Sequence, residues 1–112
     1  MELRVSPIGA VRLWQAVVTP GTPEDLKRLA ASIVREPGNV VALAARNGTA
    51  SVLVARSAEL SLDCLPIART AASLLGGGGG GAPDFAQGGG PNVAQAEDAL
   101  ATAVSKIRSA LG

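Results

Sequence analysis

Nine of the chain's 14 glycines fall between Gly76 and Gly90, and six of those run consecutively from Gly76 to Gly81. Any fold for this sequence has to account for them. Composition alone suggests a flexible linker. Position and energetics argue for an ordered, close-packed glycine turn. The run lies between an apolar helical segment and Ala82-Pro83-Asp84-Phe85-Ala86-Gln87, inside a chain of 112 residues, a length that makes one domain. A glycine held in ordered structure costs roughly 0.5–1 kcal/mol relative to alanine, against a total stability of about 5–15 kcal/mol. So many are kept only where the backbone takes positive φ, or where another backbone or a ligand comes close. A nucleotide P-loop is excluded, because its glycines are followed by Lys and then Ser or Thr, and Ala82-Pro83-Asp84 follows here. The dinucleotide fingerprint opens a helix after a strand, whereas this run closes a helix. An anion nest of successive N–H groups stays open as a reading.

Composition removes further classes. With 47% hydrophobic and 17% charged residues, the chain can bury a core. It has no histidine and a single cysteine, Cys64. No Ser-His-Asp or Cys-His pair can form, and no zinc site of histidines or paired cysteines. No catalytic residue, metal or cofactor is expected. A lone cysteine makes no internal disulfide, which fits a reducing cytoplasm. No basic leader precedes a long apolar run, so neither a signal peptide nor a membrane span is expected. Net charge is +1, and the ten basic residues, eight of them arginine, are spread along the chain. Contact with a nucleic acid would be small and shape-led, without a broad electrostatic grip.

The apolar pattern predicts the elements. Ala10–Val18 reads as a mostly buried strand. Thr22 as N-cap, Pro23 at the first helical position and Asp25 three residues after the cap start a helix to about Arg35. Pro37-Gly38 stops it. Val40–Ala45 and Ser51–Ala55 form a hairpin around Asn47-Gly48, both residues tolerating positive φ, with strands buried on two faces. A second helix begins near Ser61 or Asp63, carries Pro66 in its first turn and ends at Leu75. After a glycine-rich loop at 76–81 and a short strand, Asn92 caps a final helix over about 93–111 with Gln95 three residues on. The order predicts an α/β fold: a single-domain sandwich over residues 1–112, with a mixed sheet and three helices. Its connections are a parallel crossover, one antiparallel hairpin and a second crossover.

Leu75 to Gly90, LGGGGGGAPDFAQGGG, resembles the signature of the DHHA1 domain at the C-terminus of alanyl-tRNA synthetases. The resemblance covers most of the chain, since the strand, the Asp25-Leu26-Lys27 helix start, the Val40–Ala55 hairpin and the helix before the glycines fall in family order. The glycine block with Pro-Asp-Phe-Ala-Gln is its specific part. The family commonly carries a basic residue where Ala82 stands, and Ala-Gly near Cys64-Leu65. Related domains occur in DHH phosphoesterases and RecJ-like nucleases, and Phe85-Ala86-Gln87 looks like the synthetase branch.

The resemblance implies a noncatalytic, DHHA1-like module, isolated from a synthetase or a free-standing paralogue of that part. It would contact the outer corner of tRNA, alanine tRNA by implication, and help bring the aminoacylation and editing centres of a parent synthetase onto one tRNA. It can take part in homodimerisation. Two alternatives are a protein-interaction module, and a single-stranded nucleic-acid-binding domain similar to that of DHH phosphoesterases. Candidate RNA contacts are Gly77, Gly78, Gly79, Gly80, Gly81 and Gln87, with Phe85 for stacking and Arg46, Arg56 and Arg69 for phosphate or ribose. Against each stands a plainer reading. Phe85 and Trp14 suit core packing, the arginines solvated surface, Asp84 a turn cap and Cys64 an inert small residue. The stripe Leu100, Val104, Ile107, Leu111 reads as core, with a dimer seam as its other reading.

Overall fold

A computed structural model describes residues 2–112. Six strands form one sheet in the order β1-β2-β3-β4-β6-β5. They are β1 (Arg4–Ile8), β2 (Val11–Val18), β3 (Asn39–Asn47), β4 (Thr49–Arg56), β5 (Gly79–Ala82) and β6 (Phe85–Gly90). Three helices pack on the sheet: α1 (Pro23–Val34), α2 (Cys64–Leu74) and α3 (Ala96–Leu111), the last preceded by a 3₁₀ turn at Val93–Gln95. The α/β sandwich with a mixed sheet and three helices is therefore the observed fold. Only β2 and β3 run parallel, joined through α1; every other pair is antiparallel.

α1 starts as its sequence requires. The Thr22 N–H donates to Asp25 Oδ2 at 2.9 Å, and the Asp25 N–H donates to Thr22 Oγ1 at 3.2 Å. This reciprocal capping satisfies two N–H groups that a helix otherwise leaves free. The two central strands are apolar on both faces. Val40, Ala42, Val52 and Val54 face α2 and α3, while Val41, Leu43, Leu53 and Ala55 face α1. The stripe of α3 goes to the first of these cores, with Ile107 fully buried and Val104 and Leu111 packed at its margin.

Four expectations need correction. Asn92 makes no side-chain cap, and α3 begins at Ala96 after the 3₁₀ turn, not at about residue 93. β1 was not expected, because Arg4 and Pro7 break the apolar pattern. It forms as an edge strand on β2, where proline lacks a ladder partner at no cost. The glycine segment at 76–81 is not one loop, since Gly79–Gly81 belong to β5, which pairs with β6 through the Pro83-Asp84 turn. The segment before α3 thus holds two strands, and β6, not β5, lies against β4. At the β3–β4 turn only Gly48 has positive φ (76°), so Asn47 stays in the strand and pairs with Thr49.

Candidate nucleic-acid interface

The glycine segment is built from the end of α2. Gly76 has φ 81°, its N–H donates to the Ser73 carbonyl, and the Gly77 N–H donates to the Ala72 carbonyl at 3.3 Å. This is the Schellman ending, in which a left-handed residue turns the chain and satisfies the last carbonyls. Asn92 closes the same end from the other side, its N–H donating to the Leu75 carbonyl at 2.9 Å. Gly77 then passes so near β6 that a Cβ on it would strike the Gly89 carbonyl oxygen. The segment is ordered and close-packed, as its energetics required.

Strand register divides the remaining glycines between two faces. Residues paired across strands share a face, and neighbours along a strand alternate. Gly79, Gly88 and Gly90 point toward α2, where a Cβ on Gly88 would lie 2.6 Å from the Ala72 Cβ. The small residues Ala68 and Ala72 let the helix lie almost on the backbone of β5 and β6. Gly80, paired with Gln87, faces the α1 side, and so does Gly78, whose carbonyl accepts from the Gly89 N–H at 3.3 Å. A Cβ on Gly78 or Gly80 would meet nothing within 4 Å. The packing of this chain gives no reason for glycine at these two positions. They form a bare, flat shelf on the sheet beyond α1.

Between that shelf and the first turn of α1 lies an open groove of about 460 Å³. Pro23 and Leu26 make its helix wall, and Ser51 and Gly89 form part of its floor. Gln87 lines it too, with its Oε1 closed off and without a hydrogen-bond donor. The groove comes from three distant segments, and no spacing in the sequence announces it.

The other expected contacts are scattered. Phe85 and Trp14 lie in one cross-strand row, Trp14–Val41–Ala55–Phe85, half-buried in the core under α1. Three strand spacings, about 14 Å, separate them, so they form no joint stacking surface. Arg46 faces α3, pairing with Glu97 at 3.1 Å and donating to Thr19 Oγ1. Arg56 donates to the carbonyls of Leu62, Ser57 and Ala58, holding the loop before α2. Arg69 is different. It is exposed on α2 beside β5, with its Cα 3.5 Å from where a Cβ on Gly79 would stand. Asp84 sits in the β5–β6 turn, its carbonyl accepting from the Arg56 N–H at 3.0 Å.

Two titratable features bear on behaviour. Burial pushes the Cys64 thiol up to about 12, with nearby Asp63 and Asp84 adding to the rise and Arg56 opposing it. The thiolate is the reactive form, so native protein at about pH 8 should label with a disulfide reagent only as fast as it unfolds, and denatured protein at once. The Asp25 carboxyl is held below its ordinary 3.8, first by the Thr22 N–H, and Glu59 below its ordinary 4.5, first by its own N–H and then by Ser57. A depressed carboxylate stabilises the fold above its unfolded pKa and stops doing so as pH falls through its folded one. Urea midpoints should therefore fall below about pH 4, and less steeply in an Asp25→Asn, Glu59→Gln double variant.

Residues 13–109 match the family model of the DHHA1 domain. The chain belongs to the DHHA1 family. The DHHA1 chain is 41% identical over 102 residues to the alanine–tRNA ligase of Granulibacter bethesdensis, covering 87% of this chain and 12% of that protein. With the alanine–tRNA ligase of Leptospira interrogans it is 37% identical over 108 residues, 92% of this chain and 11% of that one. It thus spans about an eighth or less of these relatives. The crystal structure of the C-Ala domain from Aquifex aeolicus alanyl-tRNA synthetase superposes with a TM-score of 0.78 at 30% identity, covering 96% of this chain and 97% of that one. This homology supports a nucleic-acid-binding module. Among the described residues, no helix is long and apolar enough to cross a membrane.

Proposed function

We propose that residues 1–112 form one noncatalytic tRNA-binding module that works in the cytoplasm beside the catalytic and editing domains of an alanyl-tRNA synthetase. It meets the outer corner of tRNA, alanine tRNA in the first place, and helps present one tRNA to both centres. The observation that carries this reading is the end-to-end match with a C-Ala domain, 96% of this chain against 97% of that one. The bare shelf at Gly78 and Gly80 is its physical counterpart, because a folded RNA is recognised largely by shape and needs a surface without protruding side chains. Arg69 lies behind β5 on the α2 side of the sheet, where it would supply a charge to an RNA backbone that wraps this edge strand. Gly77 and Gly81 hold the shelf in place, and Gln87 lies at its inner border. Arg46 and Arg56 are occupied elsewhere, and the proposed surface is drawn without them.

The test is a fluorescence titration with an alanine tRNA transcript and with a hairpin RNA of matched length, at low and at moderate salt. Preference for the tRNA, with a shallow salt dependence, is the expected result. Equal affinity for the two RNAs, or no binding even at low salt, would overturn the reading.

A further inference from the structure

We propose that the open edge of β5 is a docking site for an extended acidic peptide, which joins the sheet as a further strand. β5 ends the sheet, and its residues Gly79–Ala82 are half-buried or exposed. The Gly89 N–H donates to the Gly78 carbonyl, so these two residues form a bonded pair. Bonded and non-bonded pairs alternate along an antiparallel ladder. Gly80–Gln87 and Ala82–Phe85 are therefore the bonded pairs of β5 and β6, and Gly79 and Gly81 turn their N–H and C=O groups away from β6. Among the described residues, no loop or turn takes up those groups. Edge strands are ordinarily blunted by proline or by charge. β1, at the other edge, carries Arg4 and Pro7. Gly79–Ala82 carries neither proline nor charge.

Donors and acceptors in alternation call for another peptide strand, which pairs with both. The phosphates of a nucleic-acid backbone accept from N–H groups but donate nothing to the carbonyls. A second copy, β5 against β5, would set two glycine strands side by side with no side chains to pack. It would also bring two Arg69 residues to one face of the joined sheet, and so short a seam falls well below the roughly 1,000 Å² of a stable interface. Charge gives the incoming peptide its sign. A residue paired with Gly79 shares its face, the α2 face, where the Arg69 Cα lies 3.5 Å from where a Cβ on Gly79 would stand. Arg69 is exposed and has no acidic partner among the described residues. An Asp or Glu opposite Gly79 supplies one. On the other face, a residue paired with Gly80 lies over the bare shelf, where a Cβ meets nothing within 4 Å. A large ring there covers a glycine with no side chain of its own. The partner is thus an extended segment in which acidic and aromatic residues alternate. Such a strand covers Gly80 and occupies Arg69, so it and tRNA exclude each other; only that exclusion rests on the tRNA reading above.

The experiment is an amide-shift titration of the 15N-labelled chain with the end-capped peptide Thr-Val-Glu-Tyr-Glu-Val-Thr. Its controls are the same peptide N-methylated at both glutamates, which removes the donors that face β5, and the lysine counterpart Thr-Val-Lys-Tyr-Lys-Val-Thr. Saturating shifts at the Gly79 and Gly81 amides, with their hydrogen exchange slowed, are expected from the first peptide and from neither control. Arg69→Glu should weaken the glutamate peptide about fivefold, the scale of one exposed ion pair, and admit the lysine peptide. The exposed position keeps the variant folded. Equal binding of the N-methylated peptide, shifts confined to other strands, or parent-like affinity in Arg69→Glu would overturn the site. Shifts at Gly79 and Gly81 on raising protein concentration alone would give the edge to a second copy and overturn it too. Peptide binding here without tRNA binding keeps the edge site and removes the tRNA reading. Binding of tRNA with no peptide shifts does the reverse. Where both bind, the peptide should displace tRNA, and a ternary complex would overturn the exclusion.

Discussion

Replacing Gly77 by alanine is expected to destabilise the domain by about 3 kcal/mol or more, enough to bring its thermal transition down sharply. The added Cβ lands on the Gly89 carbonyl oxygen, a backbone atom with no side-chain rotation available to relieve the clash. The clash cannot be relieved by local shifts alone. Gly77 is tied to α2 through the Ala72 carbonyl, and Gly89 is tied to β4 opposite Ser51. Moving either displaces a helix end or a strand that covers the core. Gly80→Ala is the control. Its Cβ projects into open space, and its stability should stay within about 0.5 kcal/mol of the parent. Urea denaturation of the two variants settles the matter. If Gly77→Ala unfolds at the parent's midpoint, the backbone contact described above is absent in solution.

The second large effect concerns RNA. Gly80→Glu should lower tRNA affinity by about tenfold or more at low salt, because it sets both bulk and negative charge on a surface proposed to meet a phosphate backbone. Its stability should match the parent's, since nothing in the protein touches that position. Arg69→Gln should lower affinity less and reduce the slope of log K against log salt by about one, the mark of one lost phosphate contact. Arg56→Gln should behave in the opposite way. It frees three carbonyls before α2 and costs stability, with RNA affinity unchanged in whatever fraction stays folded. Parent-like tRNA affinity in Gly80→Glu would remove the shelf from the interface.

Much of this fold could be read from local chemistry. Thr22, Pro23 and Asp25 announce α1 because a helix start is satisfied by residues within one turn of each other. The β3–β4 hairpin shows as two apolar runs about Asn47-Gly48, and the glycine block shows its order through its cost. What stayed hidden depends on distant partners. β1 forms only because β2 offers an edge, and its own residues, with Arg4 and Pro7, carry no strand pattern. The division of the glycines into those under α2 and those left bare depends on pairing with β6, which no spacing within Gly76–Gly81 reveals. Arg46 and Arg56 looked equivalent to Arg69 along the chain. In the fold the first meets Glu97, 51 residues away, and the second turns to the loop carbonyls beside it.

The two central strands carry one more consequence. Because the middles of β3 and β4 are apolar on both faces, sliding one past the other by a single residue would exchange the faces of its central residues at little solvation cost, and only the polar ends, with Asn39, Arg46 and Arg56, would resist. Solvent therefore does little to choose their alignment. The choice falls to side-chain bulk, with Leu43 and Leu53 opposed under α1 and Ala44 and Val52 on the other side, and to the single left-handed hinge at Gly48. That one residue acts as an index pin for the hairpin: it helps decide which side chains end up beneath α1 and, through β6, which glycines are left facing outward.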